Sequence, residues 1–318
     1  MDLTLAICVY NAEKYLEETL KSVINQTVQD FQLLLINDAS TDNSLKVIEN
    51  YFKNNPRQYE LINFKKNKGI CHARYYAERY AKTKYLMFLD ADDILLPNAI
   101  ETLWNKIQSD KDLIGVGCYL DYIDKKSKKI GGGLYLGETD KEKALEKAEQ
   151  GKLFFMQPTA IYNRGEALRV GGYEINGFSE GKPRYQDYCE DLDLWTRMSD
   201  LYTEGKAIVV VPEVLALYRK GGGLSANSYP MMLKMKYTKI NVKRRRAGKN
   251  NLTFIDFYNS LSLEEISKLK KEAQVADDLR NGVFLLKARN PRAVPLLLKA
   301  ILSNPSYFLS KIKHNLFL

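Results

Sequence analysis

The sequence has few residues that could bind a soft metal ion, and it has no long apolar run. Its 318 residues include four widely spaced cysteines and two histidines. This pattern excludes a zinc centre and a disulfide framework, and it is typical of reduced thiols. No stretch approaches the roughly 18 consecutive apolar residues of a membrane span. The first residues lack a basic leader followed by an apolar segment, so we expect no signal peptide and a cytoplasmic location.

The net charge of +9 is unevenly distributed along the chain. Residues 1–225 hold 30 Lys and Arg against 33 Asp and Glu, whereas residues 226–318 hold 18 against 6. A basic excess confined to the last third suits an anionic bilayer or a polyanion. No nucleic-acid-binding motif accompanies this charge, so a nucleic-acid partner is not expected.

The first 95 residues alternate short apolar runs with longer amphipathic segments. This rhythm predicts strands connected by helices, and strands that are apolar on both faces predict a parallel sheet covered on both sides. The predicted strands span residues 3–9, 31–36, 60–64 and 85–90. Polar clusters follow three of them, at Asn11, at Asp38 and at Asp90 through Asp93. Ligands bind at this edge of such sheets, so these clusters predict a binding site.

The remainder of the chain predicts a less regular architecture. Residues 114–136 read as a hairpin with its turn at 125–129, and residues 206–219 as two short edge strands broken at Pro212. From about residue 230 the pattern is helical. We predict an α/β domain over residues 1–225, with a first half over 1–95 and a second half over 96–225. A basic helical region over 226–318 would follow.

The acidic string at residues 90–93 allows two interpretations. In an extended segment residues two apart point the same way, so Asp90 and Asp92 can present paired carboxylates. Such a pair is costly to bury unless a cation neutralises it, and Mg²⁺ or Mn²⁺ with a diphosphate would do so. Alternatively, the string is an acidic turn in which Asp92 or Asp93 begins the next helix.

Four segments in order carry a family resemblance: CVYNAEKYL from residue 8, INDASTDNS from 36, NKGICHAR from 67 and FLDADD from 88. Over roughly residues 3–220 the chain resembles the inverting family 2 glycosyltransferases, which have the GT-A fold. This resemblance implies a Rossmann-like, mostly parallel sheet flanked by helices, with a helical C-terminal appendage. It also implies a UDP-sugar donor and Mn²⁺ or Mg²⁺. By the same likeness residues 1–225 would be the catalytic domain, with a nucleotide-sugar half over 1–95 and an acceptor half over 96–225.

The resemblance also implies roles for individual residues. Asp38 would accept hydrogen bonds from the base, Arg74 would lie near the base or the phosphates, and Asp92 would bind the metal. Asp90 would lie near the ribose and the metal. The remaining nucleotide-sugar-binding residues would be Val9, Tyr10, Asn11 and Ala91. On sequence alone, Asp38 could instead cap the next helix, and Arg74 could be a surface arginine.

A second acidic cluster, at residues 184–198, resembles the family's Glu-Asp element. By that likeness Asp191 is the catalytic base and Glu190 precedes it, and a direct displacement would invert the anomeric carbon. The alternative is an acidic first helical turn that favours the helix dipole. Trp195 reads as a core residue. The chain departs from the family pattern at Gly221, where a histidine often lies, and this leaves a third metal ligand undefined.

The expected function is sugar transfer to an acceptor hydroxyl in surface polysaccharide or lipopolysaccharide synthesis. The acceptor would be a saccharide or a lipid-linked saccharide. Cations beside apolar residues in 226–318 predict peripheral contact with the inner face of the membrane, or else a packed appendage with a solvated lysine face. The alternative functions are an inactive nucleotide-sugar-binding or scaffold protein of the same fold and a nucleotidyltransferase.

Overall fold

The structure is a computed structural model that describes residues 1–156, 159–221, 223–287 and 290–309. The strands in these residues are β1 (Leu3–Val9), β2 (Gln32–Asn37), β3 (Glu60–Asn63), β4 (Tyr85–Asp90), β5 (Ile94–Leu95), β6 (Leu113–Ile123), β7 (Lys129–Leu134), β8 (Ile161–Asn163) and β9 (Ala207–Arg219). The first helices are α1 (Leu16–Ile24), α2 (Ser44–Asn54), α3 (Ile70–Tyr80), α4 (Ala99–Gln108), α5 (Lys141–Glu149) and α6 (Arg164–Arg169). The later helices are α7 (Glu190–Met198), α8 (Ser228–Arg246), α9 (Phe254–Asn259), α10 (Leu263–Lys287) and α11 (Ala293–Ser303).

The strands form one mixed sheet in the order β3-β2-β1-β4-β8-β6-β9-β5, with β7 paired to β6. The pairs β3–β2, β2–β1 and β1–β4 are parallel, as predicted for the first 95 residues. All seven residues of β1 are buried, which explains its unbroken apolar sequence. Because the four strands run in one direction, their carboxyl ends lie at one edge of the sheet.

The prediction for residues 206–219 was wrong in one respect. They form a single strand, β9, which pairs in parallel with β6 along its length and with the two-residue β5 at its other side. The pairing register passes from Val211 to Val214, so Pro212 lies in a bulge. A bulge accommodates a residue that cannot donate to the ladder, and the strand therefore continues past the proline. The predicted hairpin is confirmed as β6 and β7.

Helices of the first half pack on the sheet through apolar stripes. In α1 the buried residues include Leu16, Leu20 and Val23, which lie on one helical face. Helix α3 differs, because Arg74 and Glu78 are buried among its apolar residues. Charged residues are rarely buried unless they are paired. We therefore expect Arg74 and Glu78 to have polar partners in neighbouring elements.

Contacts divide the chain into two compact units. The first comprises residues 1–176, 190–221 and 242–249, and the second comprises the described residues of 177–189, 222–241 and 250–318. The second unit has a small aromatic core around Leu233, Tyr237, Phe254 and Phe257. The predicted helical C-terminal region is confirmed. Within the described residues, no helix combines the length and apolarity needed to cross a bilayer.

Candidate active site

The loops that follow β1 and β2 are tied to each other at the carboxyl edge of the sheet. The Asp38 N–H donates to the Val9 carbonyl at 2.8 Å, and the Thr41 N–H donates to Asn11 Oδ1 at 2.8 Å. Asn11 has a φ of 49°, in the left-handed region that asparagine tolerates better than most residues. Tyr10 is 48% exposed. The loop thus presents an aromatic ring at the sheet edge.

The Asp38 carboxylate lies buried where β2 ends. It accepts hydrogen bonds from Asn67 Nδ2, from the Lys68 N–H and from the Gly69 N–H, each at 2.8 Å. These donors belong to the loop before α3, so Asp38 holds that loop and does not cap α2. The backbone from 67 to 69 is therefore fixed beside β1 and β2.

Arg74 connects two acidic clusters that are far apart in sequence. Its guanidinium contacts Asp90 Oδ1 at 2.6 Å through one terminal nitrogen and Glu190 Oε1 at 2.5 Å through the other. The side chain is buried, and it lies over the Phe88 ring at 5.5 Å. A buried arginine between two carboxylates is held strongly, because separating the charges would leave each one unpaired. Arg74 therefore joins the end of β4 to the first turn of α7.

Three carboxylates, those of Asp90, Asp92 and Asp93, lie close together where β4 ends. Burial, with the neighbouring Asp90, raises the pKa of Asp92 to about 6. Burial also raises the pKa of Asp93, and Asp90 and Asp92 add to that rise. Asp93 Oδ1 accepts a hydrogen bond from the Arg219 N–H at 2.8 Å. The Asp93 carboxylate thus has a structural role, because it accepts a main-chain hydrogen bond from β9. Asp92, in contrast, is only partly buried.

Backbone contacts fix the loop that carries Asp92. The Thr19 hydroxyl lies 3.0 Å from the Ala91 carbonyl and 2.8 Å from the Asp93 carbonyl, and it can donate to either. Arg219 Nε donates to the Asp92 carbonyl at 2.8 Å. These contacts fix the main chain on both sides of Asp92. None of them involves the Asp92 carboxylate.

The Arg219 guanidinium reaches several elements beyond that loop. It donates to the Asp124 carbonyl at 3.0 Å and to Ser127 Oγ at 2.9 Å, and it pairs with Glu18 at 2.7 Å. The Tyr15 ring lies 4.2 Å from its centre. Arg219 could not be recognised among the candidate site residues from the sequence pattern. Its position at the end of a strand, two residues before the glycine run that begins at Gly221, is the signal that could have identified it.

Asp191 lies in the first turn of α7 beside Glu190. Its Oδ1 accepts a hydrogen bond from the Leu192 N–H at 2.8 Å. Burial raises the pKa of Asp191, the cation of Arg74 opposes this rise, and the carboxylate of Asp90 adds to it. Because Asp90 affects the pKa of both Asp92 and Asp191, the two acidic clusters belong to one electrostatic site.

A family model described as glycosyl transferase family 2 matches residues 4–171. The chain belongs to glycosyl transferase family 2. The match begins in β1 and covers the three strand-end loops and the acidic string, and it ends before α7 and Arg219.

Relatives within the family include proteins of similar and of much greater length. An uncharacterized glycosyltransferase of Haemophilus influenzae is 28% identical over 294 residues, which cover 89% of this chain and 85% of that protein. A teichoic acid poly(glycerol phosphate) polymerase of Staphylococcus epidermidis is 39% identical over 112 residues, which cover 35% of this chain and 16% of the polymerase. The second likeness therefore concerns only a short part of a long protein.

Solved structures share the fold of this family 2 chain. A TarS structure from S. aureus, in complex with UDP-GlcNAc, has a TM-score of 0.56 at 18% identity and covers 99% of this chain and 92% of that one. The mannosyltransferase PcManGT of Pyrobaculum calidifontis, in complex with GDP-Man and Mn²⁺, has a TM-score of 0.55 at 17% identity, with coverages of 99% and 87%. Such likeness establishes the GT-A fold.

The metal ligands predicted from the sequence are the two carboxylates of Asp90 and Asp92. Among the described residues, no group of three or more His, Cys, Asp and Glu side chains is arranged to hold a metal ion. Asp90 and Asp92 nevertheless form a pair whose mutual repulsion a divalent cation would relieve. Such a pair fits an ion whose remaining ligands are phosphate oxygens and water.

The turn of residues 170–173, directly after α6, is held by residues that were not among the candidates predicted from the sequence. Glu78 Oε2 accepts a hydrogen bond from the Tyr173 N–H at 3.0 Å. Arg197, on α7, donates to the Gly172 carbonyl at 2.8 Å and pairs with Asp193 at 3.0 Å. The buried charged groups of Glu78 and Arg197 thus hold this turn. The sequence could not show that these side chains are buried.

Trp195 was predicted to be a core residue, and Gly221 stands where the family often has a histidine. Trp195 is fully buried, and its Nε1–H donates to the Met156 carbonyl at 3.1 Å, so it is a core residue. Gly221 has a φ of 127°, where a side chain would be strained, and an added Cβ would lie 2.9 Å from Lys125 Cε. A histidine at this position would require a different local backbone. Gly222, in the same glycine run, lies outside the described residues.

Proposed function

We propose that this family 2 protein transfers a sugar from a nucleotide diphosphate sugar to an acceptor hydroxyl with inversion at the anomeric carbon. The observation that supports it best is the Arg74 bridge between Asp90 and Glu190. Through this bridge the acids after β4 and the acids of α7 form one site. An inverting displacement needs leaving-group stabilisation and a base within one site.

Asp191 is the proposed catalytic base. A base must be deprotonated before it takes the acceptor proton, and a pKa above the ordinary aspartate value makes Asp191 a better acceptor than a solvated aspartate. Glu190 has a different proposed role, because its carboxylate already pairs with Arg74. We assign Glu190 to the positioning of α7 and to the charge balance of the site.

Asp92, with Asp90, is proposed to hold Mn²⁺ or Mg²⁺ together with the donor diphosphate. Bound there, the ion would stabilise negative charge on the departing nucleotide. Asp90 is shared with Arg74, whereas Asp92 makes no comparable ion pair among those found in the described residues. Asp92 is therefore the proposed principal ligand.

The donor is proposed to be a UDP-sugar that binds along the loops after β1 and β2. Val9, Tyr10, Asn11, Asp38 and Ala91 would line its nucleotide. The TarS complex with UDP-GlcNAc supports this donor class, whereas the PcManGT complex holds GDP-Man. Asp38 already accepts three hydrogen bonds from the 67–69 loop, so this loop would position the base together with Asp38.

The acceptor is proposed to be a saccharide, free or lipid-linked, of a surface polysaccharide or lipopolysaccharide. Support comes from the family and from the short likeness to a teichoic acid polymerase. A catalytically inactive nucleotide-sugar-binding protein of the same fold is the competing function. The raised pKa of Asp191 favours the enzyme, because acids with shifted pKa values cluster at functional sites.

The proposal is tested by Asp191→Asn, with Asp110→Asn as the matched control because Asp110 pairs with Lys141. Donor hydrolysis and sugar transfer are measured with Mn²⁺ and with EDTA, and UDP binding is measured by calorimetry. We expect Asp191→Asn to lower kcat by about 10²–10⁴-fold and to leave UDP binding within about threefold. Full activity of Asp191→Asn would exclude Asp191 as the base. Metal-dependent binding by wild type without turnover would favour the inactive protein.

A further inference from the structure

Helix α11 is apolar on both of its faces. Its inner side packs on α10, where Ala293 and Ala300 are fully buried. An added Cβ on Gly282 of α10 would lie 2.7 Å from Leu297 Cδ2, so the glycine allows the two helices to approach closely. The contacts of the inner face are sufficient to attach α11 to α10. They do not explain why the opposite face is also apolar.

The outer side of α11 carries a stripe of exposed apolar residues. Val294, Leu298 and Leu302 are 55%, 52% and 80% exposed, and Ile301 is exposed beside them. Their spacing of three and four residues places them on one helical face. Phe284 and Leu286, near the end of α10, are exposed as well. We call the four residues of the α11 stripe, Val294, Leu298, Ile301 and Leu302, the outer patch.

The charge of this part of the chain has one sign. Residues 279–318 contain no Asp or Glu, and they contain seven basic residues. Two of these, Arg292 and Lys299, lie in or beside α11 and are exposed. Lys299 pairs with Asp278, which comes just before the acid-free segment. The outer patch is therefore surrounded in sequence by cations alone.

We propose that the outer patch docks onto the surface of an anionic lipid bilayer. An exposed apolar stripe with neighbouring cations is the combination that places a helix at the boundary between headgroups and acyl chains. Eleven residues of helix span about 16 Å, which is too short to cross the roughly 30 Å hydrocarbon core. Helix α11 would therefore lie in the plane of the membrane.

A second copy of the chain is a less suitable occupant of the outer patch. Symmetric pairing would bring the same basic segments together, and like charges across an interface are unfavourable. An anionic lipid surface satisfies the apolar stripe and the positive charge at once. The proposal is independent of the enzymatic function, since it concerns the second unit of the chain alone.

The test is co-sedimentation of the full chain with vesicles of phosphatidylcholine alone or of phosphatidylcholine with one quarter phosphatidylglycerol. The variant is Leu298→Glu with Leu302→Glu. The control is Leu263→Glu, because Leu263 is 86% exposed but begins α10. Thermal melting and light scattering of each protein report on folding and on oligomeric state.

We expect wild type and the control to bind phosphatidylglycerol vesicles at least tenfold more tightly than neutral ones, with weaker binding at high salt. The double variant should lose at least tenfold in that binding and keep its melting temperature. Equal binding to both vesicle types, or unchanged binding by the double variant, would overturn the proposal. A dimer in wild type that the double variant dissociates would also overturn it, by assigning the patch to a second copy.

Discussion

At the scale of single residues, Arg219 fixes the main chain beside the carboxylates at the end of β4. Four of its contacts lie in three different segments: the Asp92 carbonyl, the Asp124 carbonyl and Ser127 of the β6–β7 turn, and Glu18. None of these contacts uses the Asp92 carboxylate. Arg219 therefore leaves the proposed metal ligand available while it fixes the backbone behind it, which is the role of a positioning residue.

Replacing Arg219 by lysine should weaken metal binding more than it weakens the fold. A single ammonium group cannot reproduce the fork of donors that an arginine offers. We expect the Kd of Mn²⁺, measured with saturating UDP, to rise by about 10–100-fold, as for other residues that orient metal ligands. Arg169→Lys is the matched control, since Arg169 pairs with Glu166 and Glu204 on the surface. A lower melting temperature with unchanged Mn²⁺ affinity would show that Arg219 is merely structural.

At the scale of elements, α3 and α7 meet at the turn formed by residues 170–173. Glu78 of α3 and Arg197 of α7 both contact the main chain of this turn. Helix α3 also carries Arg74, four residues earlier, which contacts Glu190 at the start of α7. Residues four apart lie on the same helical face. One face of α3 thus sets both the turn and the first residue of the proposed catalytic helix.

Gly172→Ala should be unusually destabilising. Gly172 has a φ of 66°, and an added Cβ would lie 2.1 Å from Glu78 Oε2. The backbone strain costs about 1–2 kcal/mol, and forcing an atom into a packed site adds about 1–3 kcal/mol. Gly205→Ala is the control, because Gly205 has a φ of 73° but no atom near the added Cβ. Denaturant unfolding should show a loss of about 2–5 kcal/mol at 172 and about 1–2 kcal/mol at 205. Equal losses would contradict the proposed packing of Glu78.

At the scale of the whole molecule, donor and metal binding should stabilise the folded chain. A ligand at 100 times its Kd contributes about 2.7 kcal/mol to the free energy of unfolding. Asp92 must lose its proton before it binds a cation, and its pKa is raised to about 6. The stabilisation by Mn²⁺ and nucleotide should therefore be present above that pH and should be lost as the pH falls through it.

Thermal melting with UDP-sugars and GDP-sugars, with and without Mn²⁺ at pH 7.5 and pH 5.5, checks this expectation. The Asp92→Asn variant is the control, because it removes the titrating group. We expect the Mn²⁺-dependent rise in melting temperature to be large at the higher pH in wild type and small in the variant at both. A rise that is equal at both pH values would exclude Asp92 as the principal ligand.

Local patterns predicted the first half of the fold well. The strands expected at 3–9 and 85–90 have those bounds, because buried parallel strands are apolar throughout and polar residues end them. The three-residue β8 was not predicted, although it lies between β4 and β6 in the sheet. A segment of three residues has too little periodicity to identify. Its place in the sheet depends on pairing with strands that are distant in sequence.

The proposed site likewise includes residues that the sequence could identify and contacts that it could not predict. Asp90, Asp92 and Asp191 could be identified as candidates, because carboxylates at strand ends and helix starts stand out against apolar neighbours. The partners of Arg74 could not, since its contact with Glu190 joins residues 116 positions apart. Arg219 was missed for the same reason. An arginine in sequence is compatible with a surface position, and only its surroundings in the fold define its role.

By itself, the sequence determined the order of strands and helices in the first 95 residues, the family, and the residue types available for chemistry. These properties follow from local periodicity and from motifs that lie within short segments. Only the tertiary structure decided that Arg74 would join two acidic clusters, that β9 would continue through Pro212, and that one face of α11 would remain exposed. Each of these depends on which distant segments pack together, and the free energy of that packing is shared over the whole molecule.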